Sequence, residues 1–173
     1  MVLTQTLRPN ASGSYNEIQY PTYAHSGEFH WEIVSNQVDE GPSYPVHDDR
    51  TAYYIDTYAL PNPSRLGSIT NVRTYIRCQG RPYYSYFKTV IYNGSSLVYG
   101  TERSGGTGWT NYYTDYAVNP WTSQPWTWAQ LDSLQAGVAL KAGSSTYAEC
   151  SEVWVVISSA IVGGGAQIIG LGL

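Results

Sequence analysis

The stretch from Trp109 to Ile157 constrains the fold most, because strand and helix signals follow one another there with clear boundaries. It holds five of the six tryptophans, the second cysteine and the most continuous apolar run. Tyr112, Thr114, Tyr116 and Val118 share one face of an extended segment, and Trp109, Asn111, Tyr113 and Asp115 the other. Asn119-Pro120 ends that strand, since proline lacks the N–H a ladder needs and biases its predecessor to extended geometry. Thr127, with Gln130 three residues on, forms a capping box. The helix it opens should carry Trp128, Leu131 and Leu134 on one side and end near Gly137. Val153, Val155 and Ile157 then alternate with Glu152, Trp154 and Val156, which predicts a last strand covered on both faces.

The rest of the chain repeats the strand signal. Phe29, Trp31 and Ile33 alternate with Glu28, His30 and Glu32, predicting a strand over Glu28 to Val38. A strand over Thr51 to Leu60 should place Ala52, Tyr54, Asp56 and Tyr58 on one face and Tyr53, Ile55 and Thr57 on the other. Ile69 to Cys78 should turn Val72, Thr74, Ile76 and Cys78 inward. Asn93-Gly94, between two apolar runs, marks a hairpin. With 17 tyrosines and 6 tryptophans against one methionine, the composition suits half-buried pleated surfaces. These features predict an all-β fold, a jelly-roll-like antiparallel β-sandwich of about eight or nine strands with one short helix and extended termini.

At 173 residues the chain is expected to form one sandwich domain over 24–158. Residues 1–23, polar and broken by Pro9, Gly13 and Pro21, read as an extended N-terminal arm, in which Thr4 to Leu7 could form a short strand fastening it to a sheet. Residues 159–173 carry no charge and hold the Gly163-Gly164-Gly165 hinge, so they read as an apolar tail. Such a tail either folds back or packs on a neighbouring subunit. Ile161, Val162, Ile168, Ile169, Leu171 and Leu173 are accordingly the expected assembly residues. The start, MVLTQTLRPNASG, lacks the hydrophobic run of a secretory signal, and no segment is long and apolar enough to span a bilayer. The net charge of −4 gives no electrostatic reason to expect nucleic acid. Cys78 and Cys150 both fall in expected strands and could meet across the sheets, so a bridge and two buried thiols remain open.

No catalytic arrangement emerges, and neither an enzyme nor a cofactor is expected. His30 with Glu28 and Glu32 reads first as a solvated strand face and only second as a metal site. Asp39-Glu40 and Asp48-Asp49 flank a loop that calcium would suit chemically, although the spacing fits no EF-hand. Glu28, Glu32, Asp56 and Asp115 could supply a glycosidase's two carboxylates, but nothing in the sequence pairs them. Trp121, Trp126 and Trp128 lie close enough to form a glycan-stacking platform. Their alternative role is to plug one end of the sandwich beside the helix.

Several segments occur in a familiar order: TLRPNASG, VDE then DDRTAYYI, SITNVRTYIRCQG, NPWTSQPWTWAQLDSLQAGVALK and AECSEVWVVI. Together they resemble small β-sandwich proteins encoded among the structural genes of tailed bacteriophages and prophages. The resemblance spans Thr6 to about Ile157 and implies a virion component made in the host cytoplasm, either head decoration, minor capsid or tail. Its partners would be further copies of itself or the major capsid protein. The first expectation is therefore a structural protein assembling through its termini. The alternatives are a carbohydrate-binding module or adhesin using the three tryptophans, and a subunit of a non-viral extracellular filament.

Overall fold

The computed structural model describes residues 1–18, 29–35, 46–80, 83–143 and 146–161, with residues 46–48 described as backbone. They form two antiparallel sheets packed face to face. The first runs β1 (Val2–Leu7), β11 (Ala148–Ala160), β5 (Ser68–Gly80), β9 (Thr110–Tyr116), with β3 (Val46–Asp48) also paired to β11. The second runs β2 (Ala11–Asn16), β4 (Tyr54–Ala59), β10 (Gln135–Ala142), β6 (Ser85–Tyr92), β7 (Leu97–Tyr99), with β8 (Arg103–Ser104) on β6. Two short helices complete it, α1 (His30–Ser35) and α2 (Trp128–Leu131). The expected all-β antiparallel sandwich is the observed architecture.

Alternation places the core between the sheets. Val72, Ile76 and Cys78 of β5 meet Val153, Val155 and Ile157 of β11 on the inner face of the first sheet. Tyr58, Phe87, Ile91, Val138 and Leu140 face them from the second. Polar contacts also join the two sheets: the Thr89 and Thr114 hydroxyls meet at 2.7 Å, and the Tyr112 hydroxyl donates to the Ser104 carbonyl at 3.3 Å. At Asn93–Ser96 the chain reverses as its Asn-Gly predicts. Gly94 takes φ +93°, and the Asn93 Oδ1 accepts the Ser95 and Ser96 N–H groups.

Four expectations are corrected. Residues 30–35 are a helix, not part of a strand: His30, Ile33 and Val34 are buried together at helical spacing, which the alternation over so few residues did not distinguish. Glu32 returns its Oε2 to the Phe29 N–H, closing the first turn. The N-terminal arm is built in as two edge strands, one per sheet: Val2–Leu7 contains the short strand expected over Thr4 to Leu7, and Ala11–Asn16 adds a second that was not expected. The helix opened by Thr127 ends at Leu131, and Gly137 belongs to β10. A Cβ there would stand 1.9 Å from the Asp56 carbonyl, so the glycine answers to the close approach of β4, not to a helix end. Cys78 and Cys150 are register partners within one sheet rather than across two, both buried and both free thiols. Burial, and then the neighbouring Cys150, push the Cys78 thiol well up.

One buried carboxylate ties the outer segments to this frame. Asp56 is fully buried in β4. Its Oδ1 accepts the N–H groups of Glu17 and Ile18 at 2.8 and 3.0 Å. Its Oδ2 pairs with His30 Nδ1 of α1 and accepts the Tyr58 hydroxyl at 3.3 Å. Asp56→Ala would strand those donors inside the protein. It should lower the unfolding free energy by about 3 kcal/mol in urea titrations, whereas a loss under about 1 kcal/mol would contradict this network.

Candidate functional site

The three tryptophans proposed as a platform close the end of the sandwich where β9 finishes and β5 begins. Trp126 is 5% exposed, with its indole N–H donated to the Tyr116 carbonyl at 2.9 Å. Trp121 meets it edge-on at 6.2 Å, and Trp128 donates to the Gly67 carbonyl at 2.9 Å; both pack partly buried against the core. The ring of Trp126 therefore offers no face to a sugar. At the same end Ile161 extends the β1–β11 pairing, its N–H donating to the Met1 carbonyl at 3.0 Å. Val162, Ile168, Ile169, Leu171 and Leu173 lie outside the described residues, as do Glu28, Asp39 and Glu40.

The carboxylates considered for catalysis that lie among the described residues each serve a bond within the fold. Glu32 caps α1, Asp56 is in the core, and Asp115 lies on the outer face of the first sheet. Among the described residues no group of three or more His, Cys, Asp and Glu could hold a metal ion, and His30 pairs with Asp56. No helix of the described residues is long and apolar enough to cross a membrane.

The outer face of the first sheet carries an aromatic row at one level of the register: Trp154, Tyr75 and Tyr113 on β11, β5 and β9. Trp154 and Tyr75 have centroids 4.6 Å apart and planes within 4°. That separation matches the strand spacing, so the rings stand up from the sheet and stack on each other. Tyr113 follows at 5.5 Å; the Arg8 guanidinium lies over Trp154 at 5.5 Å and that of Arg73 over Tyr113 at 4.2 Å. The faces of Trp154 and Tyr75 are thus engaged by each other, while Tyr113 at the end of the row stays 48% exposed. Arg73 also grips Asp115 with Nε and Nη2, each at 2.7 Å, while Asn71 donates to the same carboxylate at 2.6 Å.

These bonds, Arg73's first, hold the Asp115 carboxyl below its usual range. A depressed folded value stabilises the fold above the ordinary carboxylate pKa of about 4, and that stability is lost as pH falls through the folded value. Asp115→Asn should therefore flatten the fall of thermal midpoint below about pH 4; an unchanged acid limb would refute the contribution.

The opposite end of the sandwich is different. There β5 hands over to β6, and β10 to β11, with Ala142 paired to Ser85 and Ala148 to Gly80. The loops are laced together. Gly143 N–H donates to the Tyr84 carbonyl at 2.5 Å, and the Ser85 hydroxyl to the Tyr147 carbonyl at 2.5 Å. Three tyrosine rings project here: Tyr83 is 83% exposed, Tyr84 56% and Tyr147 40%. Beside them Gln79 donates its amide to Glu149 at 2.7 Å.

Tyr83 is held in an unfavourable state. Its φ of +66° lies in the left-handed region, unusual for a bulky side chain. Two bonds fix it: its N–H donates to Ser104 Oγ at 3.3 Å, and the Tyr86 hydroxyl donates to its carbonyl at 2.8 Å. Neither Tyr83 nor the Gln79-Gly80-Arg81-Pro82 segment before it was singled out from the sequence. The available signal was Tyr83-Tyr84 directly after it, two aromatic residues where turn chemistry favours small polar ones.

No protein-family model matches this chain, and no curated protein does. Among solved structures it is similar to the C-terminal CBM6 of LamC, a marine laminarinase from Zobellia galactanivorans. They share 13% identity over 91% of this chain and 100% of that one, with a TM-score of 0.44. It is also similar to the carbohydrate-binding module CBM6cm-2 of Cellvibrio mixtus lichenase 5A in complex with cellotriose, at 13% identity, 91% and 98% coverage and a TM-score of 0.41. A third is TmCBM61 in complex with β-1,4-galactotriose, at 10% identity, 66% and 70% coverage and a TM-score of 0.39. The expectation of a phage head-decoration, minor-capsid or tail component assembling through its termini is corrected at its N-terminal arm. The N-terminal segment meant to act as an assembly arm is built into the sheets as β1 and β2, and the three solved chains named above are carbohydrate-binding modules.

Replacing Tyr83 by glycine removes an exposed ring and relieves a left-handed residue while keeping both backbone bonds. Tyr83→Gly should therefore leave the thermal midpoint unchanged or raise it; a loss above about 1 kcal/mol would mean the ring supports the fold.

Proposed function

We propose that this chain is a non-catalytic carbohydrate-binding module that holds a polysaccharide at the Tyr83, Tyr84 and Tyr147 end of its sandwich. The observation that carries this reading is Tyr83: a ring 83% exposed, on backbone of positive φ, secured at both its N–H and its carbonyl. An exposed aromatic ring and a left-handed backbone each oppose stability, by roughly 1 kcal/mol for the backbone alone. Their combination at one secured residue points to a binding role.

The chemistry suits a sugar. A pyranose offers an apolar C–H face and a rim of hydroxyls; a tyrosine offers an apolar ring face and a hydroxyl tip. Gln79 and Glu149 add planar hydrogen-bonding groups beside the rings. The non-catalytic part of the proposal is supported by Glu32, Asp56 and Asp115, which are each engaged in bonds within the fold, whereas hydrolysis needs two carboxyl groups flanking one bond.

The test is calorimetric titration of wild type, Tyr83→Gly and Tyr84→Ala against a panel of soluble polysaccharides. At least one glycan should bind wild type, with each substitution weakening it about tenfold or more while folding is retained. Silence across the panel, or affinities unmoved by both substitutions, would overturn the reading.

A further inference from the structure

The outer face of the second sheet carries a cationic cup next to the tyrosine end. Lys141 of β10 and Tyr86 of β6 are register partners, and Tyr53 sits one residue before Tyr54, the partner of Leu140. The Lys141 ammonium lies 4.4 Å from the centre of the Tyr86 ring and 4.7 Å from that of Tyr53. The Lys88 ammonium lies 4.2 Å from Tyr53 and 5.9 Å from Tyr99. Beneath them Ala139 is wholly buried, so the tyrosines stand as walls around a small-residue floor.

One carboxylate serves both lysines. Glu102 Oε2 accepts the Tyr53 hydroxyl at 2.5 Å and lies 3.7 Å from Lys88 Nζ and 3.6 Å from Lys141 Nζ. The Tyr53 hydrogen bond, and with it the two ammoniums, hold the Glu102 carboxyl below its usual range. Two positive charges thus share one negative charge within a chain of net charge −4. Like charges held on neighbouring strands of one sheet face repel, and a second anion among them offsets that repulsion. The two side chains are 25% and 27% exposed, so an incoming anion can reach them.

The cup and the tyrosine end are joined. Tyr86, one wall of the cup, donates its hydroxyl to the carbonyl of Tyr83. That bond sets the Tyr86 wall, and the Lys141 ammonium over its ring, beside the Tyr83 backbone.

We propose that the glycan held at this end is anionic, with a carboxylate or sulfate group seated between Lys88 and Lys141; this rests on the carbohydrate-binding reading above. Glu102 marks where such an anion sits, within reach of both ammoniums and the Tyr53 hydroxyl, and competes with it in the free protein. Binding should then fall with salt, because the ammoniums are partly exposed and screened.

The experiment titrates wild type, the double variant Lys88→Gln and Lys141→Gln, and Glu102→Gln with an oligogalacturonate, a sulfated galactan and an uncharged galactan, at low and physiological salt. One charged glycan should bind about tenfold more tightly than the uncharged one, with the double variant erasing the difference and Glu102→Gln widening it. The oligogalacturonate and sulfated arms tell carboxylate from sulfate. Equal binding of charged and uncharged glycans, unmoved in the double variant, overturns the anionic proposal and leaves carbohydrate binding standing. Failure of all three, together with silence of the neutral panel, removes both.

Discussion

A buried carboxylate in a sheet is tolerable only when every lone pair that would otherwise meet water finds a donor. Asp56 meets that condition by drawing donors from three parts of the chain: the backbone after β2, the histidine of α1 and Tyr58 of its own strand. The arrangement fixes α1 against the sandwich and the end of β2 against β4. Gly137 belongs to the same constraint, since β10 can lie this close to Asp56 only without a side chain there. The core around it is ordinary alternation. Asp56 decides how the shorter pieces attach.

Strand content and face assignment were legible in the sequence where alternation ran long. Val72, Thr74, Ile76 and Cys78 point inward as their period requires, and Asn93-Gly94 turns the hairpin. The Thr127–Gln130 capping box opens a helix, with Gln130 Oε1 accepting the Thr127 N–H at 2.9 Å. Short elements were not legible. Over 30–35 a period of two and a period of 3.6 select overlapping apolar residues, and tertiary contact through His30 decides for helix. Edge strands β1 and β2 have polar, partly exposed faces, so nothing in their composition separates them from an arm. Gly137 carried a helix-end signal that in fact recorded a backbone approach from β4, a long-range fact.

The same limit governed the site. Tryptophans drew attention by rarity and spacing, yet Trp126 has a buried ring whose N–H is used within the fold. Ring faces are what a sugar needs, and the sequence does not say which are already covered. On the first sheet Trp154 and Tyr75 cover each other and arginines lie over both ends of the row, where Tyr113 is the exposed member. At the loop end the tyrosines stay exposed, and one is secured against its own backbone preference. Exposure and strain at a single residue distinguish that end from the other aromatic surfaces.

The most direct test of the account is amide chemical-shift mapping while a glycan that binds is added to the labelled protein. The account predicts that the largest shifts fall on Tyr83, Tyr84, Tyr147 and their loop partners Ser104 and Gly143, with the Trp121 to Trp128 end unmoved. Shifts concentrated at Trp121 to Trp128, or along Trp154, Tyr75 and Tyr113, would contradict it.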